Sequence, residues 1–373
     1  MNYIKNKTSE YFNNAFAVLL KQYLCNKPKI YFMKNYALAL FIPSLFFFVS
    51  SCNDTKAADE KKEVKKIAVV AVDTVKKKAI NIIDTIDYNK RMLAISNNDT
   101  TGRWPVKMAY PLPGALLPYN RIIAFYGNLY STRMGILGEI PRAEMIKKLQ
   151  GEVAKWQAAD STTTAIPALH YIAVTAQGAP GRDNMYRMRM PFKQIDTVLK
   201  WAKPIDALVF LDIQVAHSTV KTEVTELVKY LSLPQVHLGI DPEFSLKNGH
   251  VPGTKIGSFT AGDINDAIDI LAKVVRENKL PPKVLVVHRF TQGMITDYKK
   301  IKKLPEVQVV MDMDGFGSRV LKRSTYLTYI YREPVMFTGF KLFYKNDNWN
   351  NSKMYTPEEL LQFTPKPSYI QFQ

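Results

Sequence analysis

The chain has 373 residues, 47% of them hydrophobic and 23% charged, and a net charge of +18. That length holds two average domains or one large α/β barrel, and the composition excludes a disordered or fibrous chain. The excess of lysine is scattered, with runs at 61–66, 76–78 and 299–303. No nucleic-acid-binding motif accompanies these runs. Nucleic acid is therefore not an expected partner; the basic balance reads first as a solvated surface, with attraction to an anionic envelope as the alternative.

The N-terminal part reads as processing signal and tether. Residues 1–32 look like an over-extended N-terminus ahead of a start at Met33. Residues 33–51 follow the order of a signal peptide: Lys34, an apolar stretch from Ala37 to Val49 too short for a comfortable span, then small residues. The closing Val49-Ser50-Ser51-Cys52 resembles the lipobox of bacterial lipoproteins. That resemblance implies acylation of Cys52, anchoring to a bacterial membrane by the lipid and a place in the cell envelope. The only other cysteine is Cys25, so no disulfide framework is expected. Residues 52–98 are assigned to a flexible tether, charged at first and with β-like alternation in the IAVVAVDTV and AINIIDTID stretches. Residues 99–373 are expected to form a single barrel domain.

From about residue 120 apolar runs alternate with helix-period segments. Strands are expected at 122–127, 168–176, 207–213, 236–241, 283–289, 307–313, 335–343 and 368–372. Helices are expected at 141–160, 194–203, 219–232, 262–279, 294–303, 318–331 and 356–363. The clearest is AGDINDAIDILAKVVREN, where Ile264, Ala267, Ile268, Leu271 and Val274 make one apolar stripe. Eight strand–helix units predict an α/β fold, a (β/α)8 barrel lacking its final helix, with the segment before residue 120 available to cover the gap. A doubly wound open parallel sheet is the alternative. No dinucleotide fingerprint is present, since Gly315-Phe316-Gly317 is too short, and no cofactor is expected.

Asp212, Asp241, Glu243, His288, Asp312 and Asp314 share one address, the C-terminal end of an apolar run. Ionisable groups are costly to bury alone, and in parallel α/β folds that rim is where sites are built. Alternation along a strand puts Asp212 with Gln214, Asp241 with Glu243, Asp312 with Asp314 and Thr175 with Gln177 on inward faces. Crowded carboxylates push their pKa values apart, which suits acid–base chemistry on a glycosidic bond. Glu243 is the expected general acid, with Asp241 or Asp212 as base, nucleophile or electrostatic partner. The order Asp241-x-Glu243 is similar to the end of the chitinase-like glycosidase motif, whose upstream aspartates are here Gly239 and His237. Tyr126, Gln177, Gln214, His288, Asp314 and Lys341 are the expected substrate-binding residues. Lys341 has two readings, a Schiff base or a carboxylate partner. The GRDNMYRMRM loop, with Arg182, Arg187 and Arg189, is either an anion site or a solvated loop. Asp212, Asp241, His288 and Asp312 could ligate a divalent metal, but spacings such as H-x-H or H-x-x-E-H are lacking and only five histidines occur, so no metal ligands are assigned.

Several stretches in order resemble an uncharacterised family of bacterial secreted or lipid-anchored (β/α)8-type proteins, also seen in actinobacteria. They include YGNLYSTRMGILGE at 126–139, TAQGAPGRDNMYRMRMP at 175–191, GIDPEFSL at 239–246, VLVVHRF at 284–290 and TGFKLFYKND at 338–347. The resemblance spans roughly residues 120–373. It implies motif positions for Tyr126, Glu139, Gln177, Asp212, Gln214, Asp241, Glu243, His288, Asp314 and Lys341, with Arg289 as a departure, and it names no reaction. The expected function is an envelope lipoprotein that hydrolyses a carbohydrate or cell-wall polymer. The alternatives are a non-catalytic ligand-binding lipoprotein and a metal-dependent hydrolase.

Overall fold

The computed structural model describes residues 83–348 and 352–373. The expected signal peptide, Cys52 and the expected tether up to residue 82 lie outside the described residues. Eight parallel strands carry the fold: β1 Asn120–Gly127, β2 Thr164–Ala176, β3 Leu208–Ile213, β4 Val236–Ile240, β5 Lys283–Arg289, β6 Val307–Met313, β7 Phe337–Leu342 and β8 Tyr369–Phe372. Each pairs with its neighbours in chain order, and β1 pairs with both β8 and β2, so the sheet closes on itself. The protein is a (β/α)8 barrel, and the open-sheet alternative is excluded by that closure. Nearly every strand residue is buried, as parallel strands covered on both faces require.

The main helices are α1 Thr85–Ile95, α2 Arg142–Ala159, α3 Phe192–Ala202, α4 Val220–Glu226, α5 Ala261–Asn278, α6 Arg319–Thr325 and α7 Pro357–Leu360. Helix α5 follows its sequence signals closely. Thr260 and Asp263 make a reciprocal capping box, and the expected stripe from Ile264 to Val274 is buried. Emptying its centre by Leu271→Ala costs about 2–5 kcal/mol. Helix α7 starts on the same device, formed by Thr356 and Glu359.

Two expectations are corrected. Residues 85–95, within the segment assigned to the tether, form α1, capped by Asp84 and burying Tyr88, Met92 and Ile95. Its end meets the chain entering β8, where the Lys366 amide donates to the Ile95 carbonyl at 2.7 Å. A segment before residue 120 thus packs beside the last strand. The helix expected at 294–303 is instead two 3-10 turns, Gln292–Met294 and Tyr298–Lys300. Between them Ile295–Thr296 pairs with Phe259–Thr260 in a small parallel ladder, and Asp297 is left-handed, so the backbone is committed elsewhere. Helix α6 also stops early and continues as a π-helical turn, Tyr326–Tyr331. No helix among the described residues is long and apolar enough to cross a membrane.

The two barrel ends differ in chemistry. At the N-terminal end the side-chain amide of Gln308 satisfies the backbone of Leu116 and Leu117, and Lys283 donates to the carbonyls of Leu233 and Val236. That end is sealed by backbone partners. A cluster of carboxylates and histidines gathers at the other.

Candidate active site at the barrel mouth

Seven strands or their following turns deliver the cluster. Tyr126 ends β1, His170 lies in β2, Asp212 in β3, Asp241 follows β4, His288 is in β5, Asp312 and Asp314 come from β6, and Lys341 is in β7. Register fixes their level: Tyr126 is opposite His170, Asp212 opposite Gly239, and His288 opposite Asp312. The glycines are steric necessities here. A Cβ on Gly239 would lie 2.4 Å from both Asp212 Oδ1 and His170 Nε2, and one on Gly339 would lie 2.5 Å from Asp312 Oδ1.

Asp212 and His288 form the hub, and both are fully buried. Asp212 Oδ2 accepts from the Tyr126 hydroxyl at 2.9 Å. Asp212 Oδ1 faces His170 Nε2 at 3.2 Å and His288 Nε2 at 3.4 Å. On the far side of its ring, His288 Nδ1 faces Asp314 Oδ2 at 3.1 Å and Asp312 Oδ2 at 3.4 Å. Lys341 Nζ meets Asp314 Oδ1 at 3.0 Å and sits 4.0 Å above the Tyr126 ring. Of the two readings of Lys341, the structure supports the carboxylate partner.

Charge is divided unevenly across this network. Burial works against ionisation of Asp212, yet the two imidazoles hold its carboxyl well below the usual range. Burial also opposes a charge on His288, but Asp314 and Asp212 raise it well above an ordinary histidine. His170 goes the other way: burial pushes it down to about 4, and Asp212 offsets this only in part. Asp314 stays low against burial because Lys341 and His288 face it, whereas burial raises Asp312.

Asp241 and Glu243 behave differently. Strand β4 ends at Ile240, so Asp241 caps a 3-10 turn and its Oδ1 accepts from the Glu243 amide at 3.0 Å. The expectation that both carboxylates lie on the strand is corrected, because Pro242 ends the ladder. Burial pushes Asp241 up to about 7, with Asp314 and Asp212 adding to it. Burial followed by the charge of Asp241 pushes Glu243 up to about 8, although part of its surface remains open. Among the described residues neither carboxyl makes an ion pair.

The other expected residues separate. Gln214 is buried and its Oε1 accepts from the Ala176 amide at 3.1 Å, so it braces β2. Gln177 lies beyond the end of β2, half-buried, with its own amide donating to the Tyr186 carbonyl. A register shift between Ile172 and Val174 breaks the simple alternation expected for Thr175 and Gln177. Arg289 turns away to Glu333 at 2.6 Å and to the Tyr329 carbonyl. Arg187 and Arg189 both grip the buried Glu223, which leaves Arg182 as the loop's free arginine among the described residues. Glu139 pairs with Lys345 outside the hub.

Sequence reasoning missed His170, Tyr369 and Gln371. The Tyr369 hydroxyl lies 2.5 Å from His170 Nδ1, and Gln371 Nε2 lies 3.2 Å from the same atom. The available signal was polarity at inward parity inside apolar strands: His170 in PALHYIAV, and Tyr369, Gln371 and Gln373 alternating at the end.

No family model and no curated protein sequence matches the chain. Among solved structures it is similar to the cellulase Cel5C_n, at 13% identity over 63% of this chain and 69% of that one, with a TM-score of 0.37. It is also similar to the Bacillus subtilis mannanase BCman, at 11% identity over 78% and 86% with a TM-score of 0.35. A third is the Bacillus megaterium QM B1551 spore cortex-lytic enzyme SleL, at 13% over 74% and 64% with a TM-score of 0.33. The strand order, rather than these likenesses, establishes the barrel.

Proposed function

We propose that the chain is an acid–base hydrolase of a carbohydrate or cell-wall polymer, held in the cell envelope by a lipid on Cys52. The observation that carries the chemistry is the Asp241–Glu243 pair, two carboxyls on one short turn at the barrel mouth, raised to about 7 and about 8. An efficient general acid keeps its proton at the working pH, and an efficient base titrates near it. Glu243, the more open of the two, gives its proton to the departing oxygen. Asp241 takes a proton from the attacking water. Asp212 is fully buried under Tyr126, so it acts through Tyr126 and His288 rather than on substrate. The Asp314–Lys341 pair supplies a fixed charge at the same rim. The envelope assignment is supported by the Val49–Cys52 sequence and by the basic balance.

The test is release of new reducing ends from a panel of bacterial envelope polysaccharides and cell-wall glycans by the purified protein. Glu243→Gln keeps the shape and removes the proton, so turnover should fall by about two to four orders of magnitude with little change in melting. Full activity in that variant removes Glu243 as the acid. Saturable binding of a glycan without any new reducing ends would favour a ligand-binding lipoprotein, the reading that Lys341's neutralisation of Asp314 supports.

A further inference from the structure

Three polar atoms converge at the floor of the mouth and, apart from the ionic contacts they make with one another, have no hydrogen-bond partners: His170 Nε2, Asp212 Oδ1 and His288 Nε2. All three side chains are fully buried, and the three atoms lie within 4.8 Å of one another. An unpaired buried polar atom costs about 1–3 kcal/mol, so three facing one point need a common explanation.

The spacing supplies one. With metal–ligand bonds of about 2.0–2.1 Å, a tetrahedral zinc site places its ligand atoms about 3.3–3.4 Å apart. An octahedral site with the same bonds would bring neighbouring ligands to about 2.9 Å. The observed separations from Asp212 Oδ1 are 3.2 Å to His170 Nε2 and 3.4 Å to His288 Nε2. Gly239 lets two of the three atoms press against the β4 backbone, because a Cβ there would stand 2.4 Å from Asp212 Oδ1 and from His170 Nε2.

The outer atoms fit as well. Histidines that bind a metal through one ring nitrogen are oriented by a partner on the other. His288 Nδ1 has Asp314 and Asp312 at 3.1 and 3.4 Å, and His170 Nδ1 has the Tyr369 hydroxyl at 2.5 Å. Both rings are therefore held with Nε2 pointing inward.

We propose that His170, Asp212 and His288 form a binding site for one divalent transition metal of the zinc class. Two imidazoles and one carboxylate favour such an ion over magnesium or calcium, which take oxygen donors. Three protein ligands leave a fourth position for water or a substrate oxygen, the ligand count of catalytic rather than structural zinc sites. The site was invisible to motif spacing because its ligands come one each from β2, β3 and β5. None of the three residues is the proposed acid or base, although Asp212 and His288 lie behind that pair, so metal binding can be measured separately from hydrolysis.

The test uses the purified full chain. Metal content is measured after equilibration with zinc and removal of loosely held ion, and the cobalt-loaded protein is examined by visible absorption. One equivalent of zinc and a tetrahedral cobalt spectrum are expected. His170→Ala should abolish both, with folding checked by circular dichroism. Asp314→Asn leaves the three ligands in place but weakens the orientation of His288, so affinity should drop by about 10–100-fold. That variant decides the matter if His170→Ala does not fold. Failure of the parent protein to retain zinc or to give the cobalt spectrum overturns the site. So does equal binding by a folded His170→Ala or by Asp314→Asn. Metal content and reducing-end release are separate readouts, so the loss of one proposal leaves the other standing.

Discussion

Asp241→Asn should make the protein more stable at alkaline pH while disabling it. In the folded state burial pushes the Asp241 carboxyl from 3.8 to about 7. Below about pH 4 both the folded and unfolded chains hold that proton. Between about pH 4 and 7 the folded chain keeps a proton that the unfolded chain has released, so stability falls as pH rises. Above about pH 7 the loss is complete. A rise of that size corresponds to at most about 4 kcal/mol, and relaxation of the site leaves about half of it. Asparagine removes the charge and keeps an Oδ1 acceptor for the Glu243 amide. The expected gain is about 2 kcal/mol at pH 8, read as a rise in Tm of about 4 °C for a chain of this size. At pH 5 about a third of the gain should remain. Melting curves for parent and variant across pH 5–8 measure this directly. A variant destabilised equally at both ends would show that Asp241 is a structural hydrogen-bond partner and that its burial carries no charge penalty.

Three further outcomes follow from the same groups. On any substrate found, kcat/KM should rise as Asp241 loses its proton near pH 7 and fall as Glu243 loses its own near pH 8, a narrow bell that a pH–rate profile reads. Deleting residues 366–373 removes β8, which pairs with both β1 and β7, so cooperative thermal unfolding should vanish; a truncated chain that melts like its parent would contradict closure by that strand. Cys52→Ala should move the protein from the membrane to the soluble fraction of the producing bacterium, and unchanged partitioning would remove the lipid anchor.

Most of the barrel was legible because its strands are buried on both faces and read as short apolar runs between turn signals. Helix α5 was legible for a different reason, an apolar stripe with a capping box at its start. The segment 294–303 misled because its few apolar residues, Met294, Ile295 and Ile301, are buried by a two-residue ladder and turns rather than by a helix face. The acids at strand ends could be found from sequence since each is ionisable and follows an apolar run. His170 could not be placed that way. It sits in the middle of the longest strand, where a histidine looks like part of the core until the neighbouring strands show what it faces. The partners of Gln214 and Arg289 were not legible, because parity gives the face of a strand but not the group a long side chain will reach.

Gly339 bears on how this barrel can vary. It lies within β7 in extended backbone that any residue could adopt, so nothing in its own conformation asks for glycine. The demand comes from Asp312 on the next strand, whose carboxyl occupies the space a methyl group would need. Information about one position is therefore stored at another. Among related sequences the two positions should covary: a side chain at 339 should appear only where residue 312 has become shorter. Any redesign of the barrel interior has to change them as a pair.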